Sequence, residues 1–95
     1  MQTIIGLMTL DLIIPSCNSL KDKRIVIKSI KDKIQQKFNV SIAEVDFQDK
    51  WQRARLAIAQ VGNNYQYIEK NMNSIYRLIE SKGYAEITNH NLEYL

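Results

Sequence analysis

The chain has few of the residues that break or cross-link regular structure. Its 95 residues include three Gly, one Pro and one Cys. So little Gly and Pro argues against disorder, and the lone Cys17 cannot form an internal disulfide, which favours a reducing compartment. No apolar run reaches the roughly 18 residues of a membrane span, and no basic flank precedes the first apolar stretch. We therefore expect a cytoplasmic protein without a signal peptide, folded as a single domain over residues 1–95.

Hydrophobic periodicity predicts the secondary structure. Strands are expected at Thr3–Ile13, Val40–Phe47, Arg53–Val61 and Tyr84–Leu95, and helices at Leu20–Phe38 and Tyr65–Lys82. Asn18 or Ser19 can cap the first helix, Asn63 or Asn64 can cap the second, and Gly83 suits a helix C-terminus. The order β-α-β-β-α-β predicts a ferredoxin-like α+β fold, a two-layer sandwich with a four-stranded antiparallel sheet and both helices on one face.

The first and third predicted strands carry apolar residues on both faces, whereas helices on one side of a sheet cover only one face. An uncovered apolar face is unfavourable in water. We therefore expect a homodimer that buries the second face or joins two sheets at their edges.

Charge is concentrated in the first predicted helix. Leu20–Phe38 contains seven Lys or Arg and two Asp, or +5, and because the whole chain is +3 the remainder is −2. Lys21, Arg24, Lys28 and Lys31 fall on one stripe beside the apolar stripe. Such a stripe can follow the phosphates of a structured RNA. The alternative is a solvated face that keeps the domain soluble.

Two further basic residues refine this interpretation. Arg53, in the predicted hairpin, is expected to add a phosphate contact, and Lys23 is expected to cover the core edge with its stem while its charge reaches solvent. The third strand has no aromatic residue, so the base-stacking platform of an RNA-recognition motif is missing. We therefore expect contact with RNA shape or backbone instead of base reading.

The predicted hairpin also carries two carboxylates, Glu44 and Asp46, at an i, i+2 spacing that places them on one strand face. Such a pair can hold a divalent ion or act as acid and base. The single histidine, His90, lies far along the chain, so we expect no catalytic site, no metal and no cofactor. The alternative is an ion-paired hairpin, in which Asp46 or Asp49 meets Arg53 or Arg55.

The end of the hairpin combines Trp51, Gln52 and Arg53. Trp and Arg are the residues that protein-binding hot spots favour. A homodimeric protein-interaction module that uses this hairpin end and the open sheet face is therefore the alternative to RNA binding.

Three segments carry a family resemblance. Ser19–Arg24, Phe38–Asp46 and Gln48–Ala54 together resemble the bacterial YlxP-like family, nearly end to end. The resemblance implies a small ferredoxin-like protein with no established activity, and it brings no catalytic residue or cofactor. Genes of the family often lie among those for translation initiation and ribosome maturation, which implies a ribosome-linked role by association, with ribosomal RNA as the expected partner. Phe47 stands where members often carry His and Lys50 where Leu is common, and the first departure weakens metal or acid–base chemistry at the hairpin.

Overall fold

The computed structural model describes residues 2–83 and 85–95, which form four strands and two helices in the predicted order. The strands are β1 (Ile4–Ile13), β2 (Ser41–Asp46), β3 (Arg53–Gly62) and β4 (Glu86–Tyr94), and the helices are α1 (Leu20–Lys37) and α2 (Tyr65–Ser81). The last strand was expected from Tyr84, which lies outside the described residues. Within the described ranges, no helix has the length and hydropathy needed to cross a membrane.

The strands pair antiparallel in the order β2-β3-β1-β4, which confirms the ferredoxin-like fold. β1 and β3 form the centre of this sheet, and β2 and β4 form its edges. Alternate residues of the central strands are buried beneath α1 and α2: Ile4, Gly6, Met8, Leu10, Leu12, Ala54, Leu56, Ile58 and Gln60. The period of two in their hydropathy thus decides which face the helices cover.

Each helix begins at a side-chain cap. Ser19 Oγ accepts a hydrogen bond from the N–H of Asp22 at 3.0 Å, and the Asp22 carboxylate accepts one from the N–H of Asn18 at 3.0 Å. Asn64 Oδ1 accepts one from the N–H of Tyr67 at 3.1 Å. These bonds satisfy N–H groups that have no partner inside the helix, so Ser19 and Asn64 are the caps among the residues predicted.

α2 supplies a continuous buried stripe, whose members are Ile68, Asn71, Met72, Ile75 and Ile79. Ile68 packs so closely on Gly6 of β1 that a Cβ at Gly6 would collide with its side chain. After α2 the chain turns at Gly83, whose φ of +79° is a left-handed conformation that glycine adopts without strain, as the sequence predicted.

The sheet face opposite the helices is partly apolar, as the sequence predicted. Its exposed or half-buried apolar side chains on the central strands are Ile5, Leu7, Ile13, Ala57, Ala59 and Val61. Asp11 and Arg55 lie among them and form an ion pair. This face is therefore mixed, and the expected homodimer stays a prediction.

Candidate functional site around the first helix

The basic stripe of α1 faces solvent. Lys21, Arg24 and Lys28 are exposed and Lys31 is half-buried, and the stripe from Lys21 to Lys31 spans about 15 Å of helix. In the part of the chain that the structure describes, Lys21, Arg24 and Lys31 have no ion pair and no side-chain hydrogen bond. Lys28 differs, because its Nζ lies 2.8 Å from Oδ2 of Asp32, and this hydrogen bond raises the pKa of Lys28.

Lys23 contradicts the expectation that its charge reaches solvent. The side chain is 3% exposed, and Nζ lies 2.8 Å from Oε2 of Glu44 on β2. Nζ also donates to the backbone oxygens of Phe47 at 2.7 Å, Arg53 at 3.2 Å and Gln48 at 3.3 Å. A buried ammonium needs several acceptors, and the hairpin supplies them. Lys23 therefore fastens the β2–β3 connection to the first turns of α1.

The predicted pairing of Glu44 with Asp46 on one strand face is wrong. The register between β2 and β3 shifts between these residues, so that Glu44 stands opposite Leu56 and Asp46 opposite Arg55. A β-bulge of this kind inserts one residue and turns the following side chains to the other face. Glu44 points to the helix side and meets Lys23, whereas Asp46 points to the open face.

Arg55 occupies the open face between two carboxylates. Its Nε and Nη2 donate to the two oxygens of Asp11 at 2.7 and 3.2 Å, and its Nη1 donates to Asp46 at 3.2 Å. The hydrogen bond from Arg55 holds the pKa of Asp11 below its ordinary value, although burial acts in the opposite direction. The ion-paired hairpin predicted as an alternative is thus confirmed for Asp46 and Arg55.

Phe47 adopts a left-handed backbone conformation, with φ of +63°. This region is unusual for a bulky residue and costs roughly 1–3 kcal/mol. Its carbonyl is held by Lys23, and its ring lies 4.1 Å from the guanidinium carbon of Arg53, a cation–π distance. Arg53 lies at the start of β3 with its side chain on the open face, so the structure does not align Arg53 with the stripe of α1.

The hairpin tip is tied to the chain that precedes α1. The side-chain nitrogen of Gln52 donates to the carbonyl oxygens of Pro15 at 3.2 Å and Cys17 at 3.1 Å. The N–H of Ile14 donates to the carbonyl oxygen of Gln52 at 2.9 Å. Trp51, next to this anchored residue, is 55% exposed. Gln52 therefore has a structural contact, while Trp51 remains available to a partner.

A groove of about 590 Å³ separates α1 from the edge strand β2. Arg24, Lys28, Lys31 and Asp32 line it from the helix, Glu44 lines it from the strand, and Gln48 lines it from the hairpin loop. The sequence located the cations through their helical spacing. It did not locate the groove, because the separation between helix and strand depends on tertiary packing.

Comparison with known proteins places the chain in a family. Residues 5–92 match the model of the family described as "Protein of unknown function (DUF503)". The chain belongs to this family. It is also similar to the protein described as "Uncharacterized protein YlxP" of Bacillus subtilis (strain 168), with 41% identity over 78 residues, or 82% of this chain and 85% of the relative. The resemblance to the YlxP-like family is therefore confirmed.

A solved structure described as "Structural Genomics, protein YJCS" has a similar fold. The TM-score is 0.56 over 94% of this chain and 96% of that chain, at 9% sequence identity. At so low an identity the likeness concerns the fold alone. It agrees with the ferredoxin-like arrangement described above.

Two further chemistry-bearing residues of this DUF503 member, Cys17 and His90, do not line the groove beside α1. Among residues 2–83 and 85–95, no group of three or more His, Cys, Asp or Glu is placed to hold a metal ion. Cys17 is buried, and burial raises the pKa of its thiol, which disfavours the reactive thiolate. His90 is exposed on β4 with its ring against that of Tyr76 at 5.0 Å. The groove beside α1 is therefore the candidate site.

Proposed function

We propose that this protein is a non-enzymatic cytoplasmic protein that binds the phosphate backbone of a structured RNA, with ribosomal RNA as the favoured partner. The observation that carries the proposal is the row of Lys21, Arg24 and Lys31 along α1, none of which has an ionic partner within residues 2–83 and 85–95. Each such cation can hold a phosphate without reading a base. Binding of this kind would be dominated by charge and would weaken as salt rises.

The position of the cations favours binding over simple solvation. Arg24, Lys28 and Lys31 border one groove, which among the described residues also holds two carboxylates, and each of these is paired: Glu44 with buried Lys23 and Asp32 with Lys28. Within the same described residues Arg24 and Lys31 are then left without a paired carboxylate, and a cleft with an excess of one sign of charge focuses the electrostatic field and raises the local concentration of counter-ions. An anion in this groove therefore meets a net positive wall, which scattered surface lysines would not provide.

Charge reversal of Arg24 and Lys31 together tests the proposal. These two are chosen because Lys28 already has Asp32 as a partner. We expect Arg24→Glu/Lys31→Glu to abolish binding to purified ribosomal RNA near physiological salt. At low salt, the slope of log affinity against log salt should fall by about one for each phosphate contact removed. Anisotropy titrations at several salt concentrations measure both quantities.

A matched control reverses two cations on the other helix. Lys70 and Arg77 are exposed on α2, so Lys70→Glu/Arg77→Glu changes the net charge equally at a different place. This variant should retain most of the RNA affinity. Wild-type protein that fails to bind at low salt, or binds with no dependence on salt, would show the proposal to be wrong.

A second candidate function is a homodimeric protein-interaction module. It is favoured by the open sheet face, where Val61 and Ile13 are exposed, with the hairpin end Trp51–Arg53 beside it. A symmetric dimer would bury this face against its own copy. Sedimentation at micromolar concentration should then give a dimer that Val61→Glu dissociates, and a wild-type monomer would reject this candidate.

A further inference from the structure

The β2–β3 connection is held more firmly than an ordinary surface loop. Lys23 binds two of its backbone oxygens and that of Arg53 at the start of β3, and Gln52 binds two carbonyls of the β1–α1 connection. Phe47 is kept in a left-handed conformation within it. A strained backbone conformation persists only where the surroundings enforce it, and such conformations concentrate at functional sites.

The β2–β3 connection, held by the contacts of Lys23 and Gln52, carries Trp51. This side chain is 55% exposed and lies outside the cluster of buried and half-buried residues that forms the core. The chain thus orders a loop whose largest side chain contributes little to folding. A pre-ordered aromatic ring binds a partner at low entropic cost, because its backbone is already fixed before binding.

The basic groove leads toward this hairpin. Its lining extends from Gln35 through Lys31, Lys28 and Arg24 to Leu20 in the first turn of α1, and on the far side it includes Gln48 of the hairpin loop. Lys23 joins that loop to the same helix. A nucleic-acid backbone that follows the cations therefore reaches Gln48, three residues before Trp51 in the same loop, although Trp51 itself does not line the groove.

We propose that Trp51 stacks on an unpaired nucleobase of the RNA whose backbone lies along α1. This inference rests on the proposed function and specifies its substrate class, a stem with an unpaired nucleotide next to it. Every base has a π-face, so such stacking tolerates sequence. The side-chain nitrogen of neighbouring Gln52 donates to two backbone carbonyls, so its N–H groups are not available to read a base edge.

The test uses the intrinsic fluorescence of Trp51, which is the single Trp of the chain. Two stem–loop RNAs with identical stems are titrated, one with a bulged adenosine and one fully paired. The bulged RNA should bind about tenfold more tightly and quench the fluorescence, in the range that base–aromatic stacking provides. The paired RNA should bind through charge alone and leave the emission nearly unchanged.

Substitutions separate stacking from other effects. Trp51→Ala should bind both RNAs equally, at the affinity of wild type for the paired RNA, with unchanged thermal stability because the side chain is exposed. Trp51→Phe should keep part of the preference, since it retains a ring. Arg24→Glu/Lys31→Glu should lose affinity for both RNAs alike.

The outcomes distinguish this inference from the proposed function. If both RNAs bind with equal affinity and salt dependence and neither quenches Trp51, the stacking inference is wrong and backbone binding stands. If neither RNA binds at low salt, both proposals fail. If Trp51→Ala leaves the preference for the bulged RNA intact but weakens self-association in sedimentation, Trp51 belongs to a protein interface and the inference is overturned.

Discussion

The two helices cover the same sheet face, yet their sequences serve different ends. α2 places Ile68, Met72, Ile75 and Ile79 in the core, and its two Glu, one Lys and one Arg leave it with no net charge. α1 buries isoleucines too, but one of its buried positions is Lys23 and its surface is strongly basic. α2 is thus built for packing, whereas α1 combines packing with an anchored hairpin and a cationic surface. The difference predicts that substitutions that lower stability and substitutions that weaken the proposed RNA binding fall on different residues.

The largest expected effect comes from a substitution that disrupts the packing of α2. Ile75→Ala removes a fully buried side chain and should lower the free energy of unfolding by about 2–5 kcal/mol. On α1, Ile25 is 61% exposed, so Ile25→Ala should change the free energy of unfolding by less than about 0.5 kcal/mol. Urea denaturation of both variants measures the contrast. Similar losses from the two would mean that Ile25 packs against a neighbour, contrary to its exposure.

The next effect concerns the buried charge of α1. Lys23→Met keeps the stem but leaves Glu44 without its cation and three backbone oxygens without their donor, so we expect a loss of about 3 kcal/mol. Adding Glu44→Gln should restore part of the lost stability, because it removes the unpaired carboxylate. Lys28→Met, which breaks an exposed pair on the same helix, should leave the denaturation midpoint unchanged.

The double variant Lys23→Met/Glu44→Gln also tests whether the contacts of Lys23 with the hairpin position Trp51. If Lys23 holds the hairpin, the Lys23→Met/Glu44→Gln protein should show faster proteolysis between β2 and β3 and a weaker preference for the bulged RNA. Its affinity for the paired RNA should be retained, since the stripe on α1 is intact. If the double variant kept the full preference for the bulged RNA over the paired RNA, the contacts of Lys23 would not be needed to position Trp51.

Much of the fold was predictable because it depends on local periodicity. The strand alternation of Ile4 to Leu12, the helical spacing of Ile68, Ile75 and Ile79, and the position of Gly83 each specify one structure. These signals agree with one another, and such agreement is what makes a sequence fold to a single structure. The resemblance to the YlxP-like family agrees with this fold but identifies no catalytic residue and no cofactor.

The candidate site was predictable only in part. The stripe of α1 followed from spacing, but the pairing of Glu44 with Asp46 failed because an i, i+2 argument assumes a regular pleat, and the bulge breaks it. The sequence predicts an exposed charge for Lys23 because lysine usually reaches solvent. The backbone oxygens that accept its hydrogen bonds lie 24–30 residues away in the hairpin. Contacts across such separations leave no periodic trace in the sequence.

A smaller effect comes from the contact between α2 and the sheet. Gly6→Ala would place a Cβ against the stiff, β-branched Ile68, and we expect a loss of about 1–3 kcal/mol from overpacking. Gly62 lies against the same side chain, but there a Cβ would sit 3.4 Å from Ile68, an ordinary contact. Gly62→Ala should therefore be close to neutral. Thermal unfolding compares the two, and equal losses would mean that α2 does not pack as tightly over β1 as described.

The smallest effect depends on pH and separates packing from ion pairing. Because Arg55 holds the folded-state pKa of Asp11 below its ordinary value, the contribution of this pair to stability is complete above about pH 4 and is lost as the pH falls through the lower folded-state pKa. Asp11→Asn should therefore be less stable than wild type at neutral pH, and the difference should shrink in acid.

The buried stripe of α2 offers the matched control, since it contains no titratable side chain. The deficit of Ile75→Ala should stay constant across the same pH series, measured by urea denaturation. A deficit of Asp11→Asn that also stayed constant would mean that Asp11 contributes through packing or hydrogen bonding that does not need its charge. The open face would then resemble the buried stripe of α2, whose side chains are all neutral.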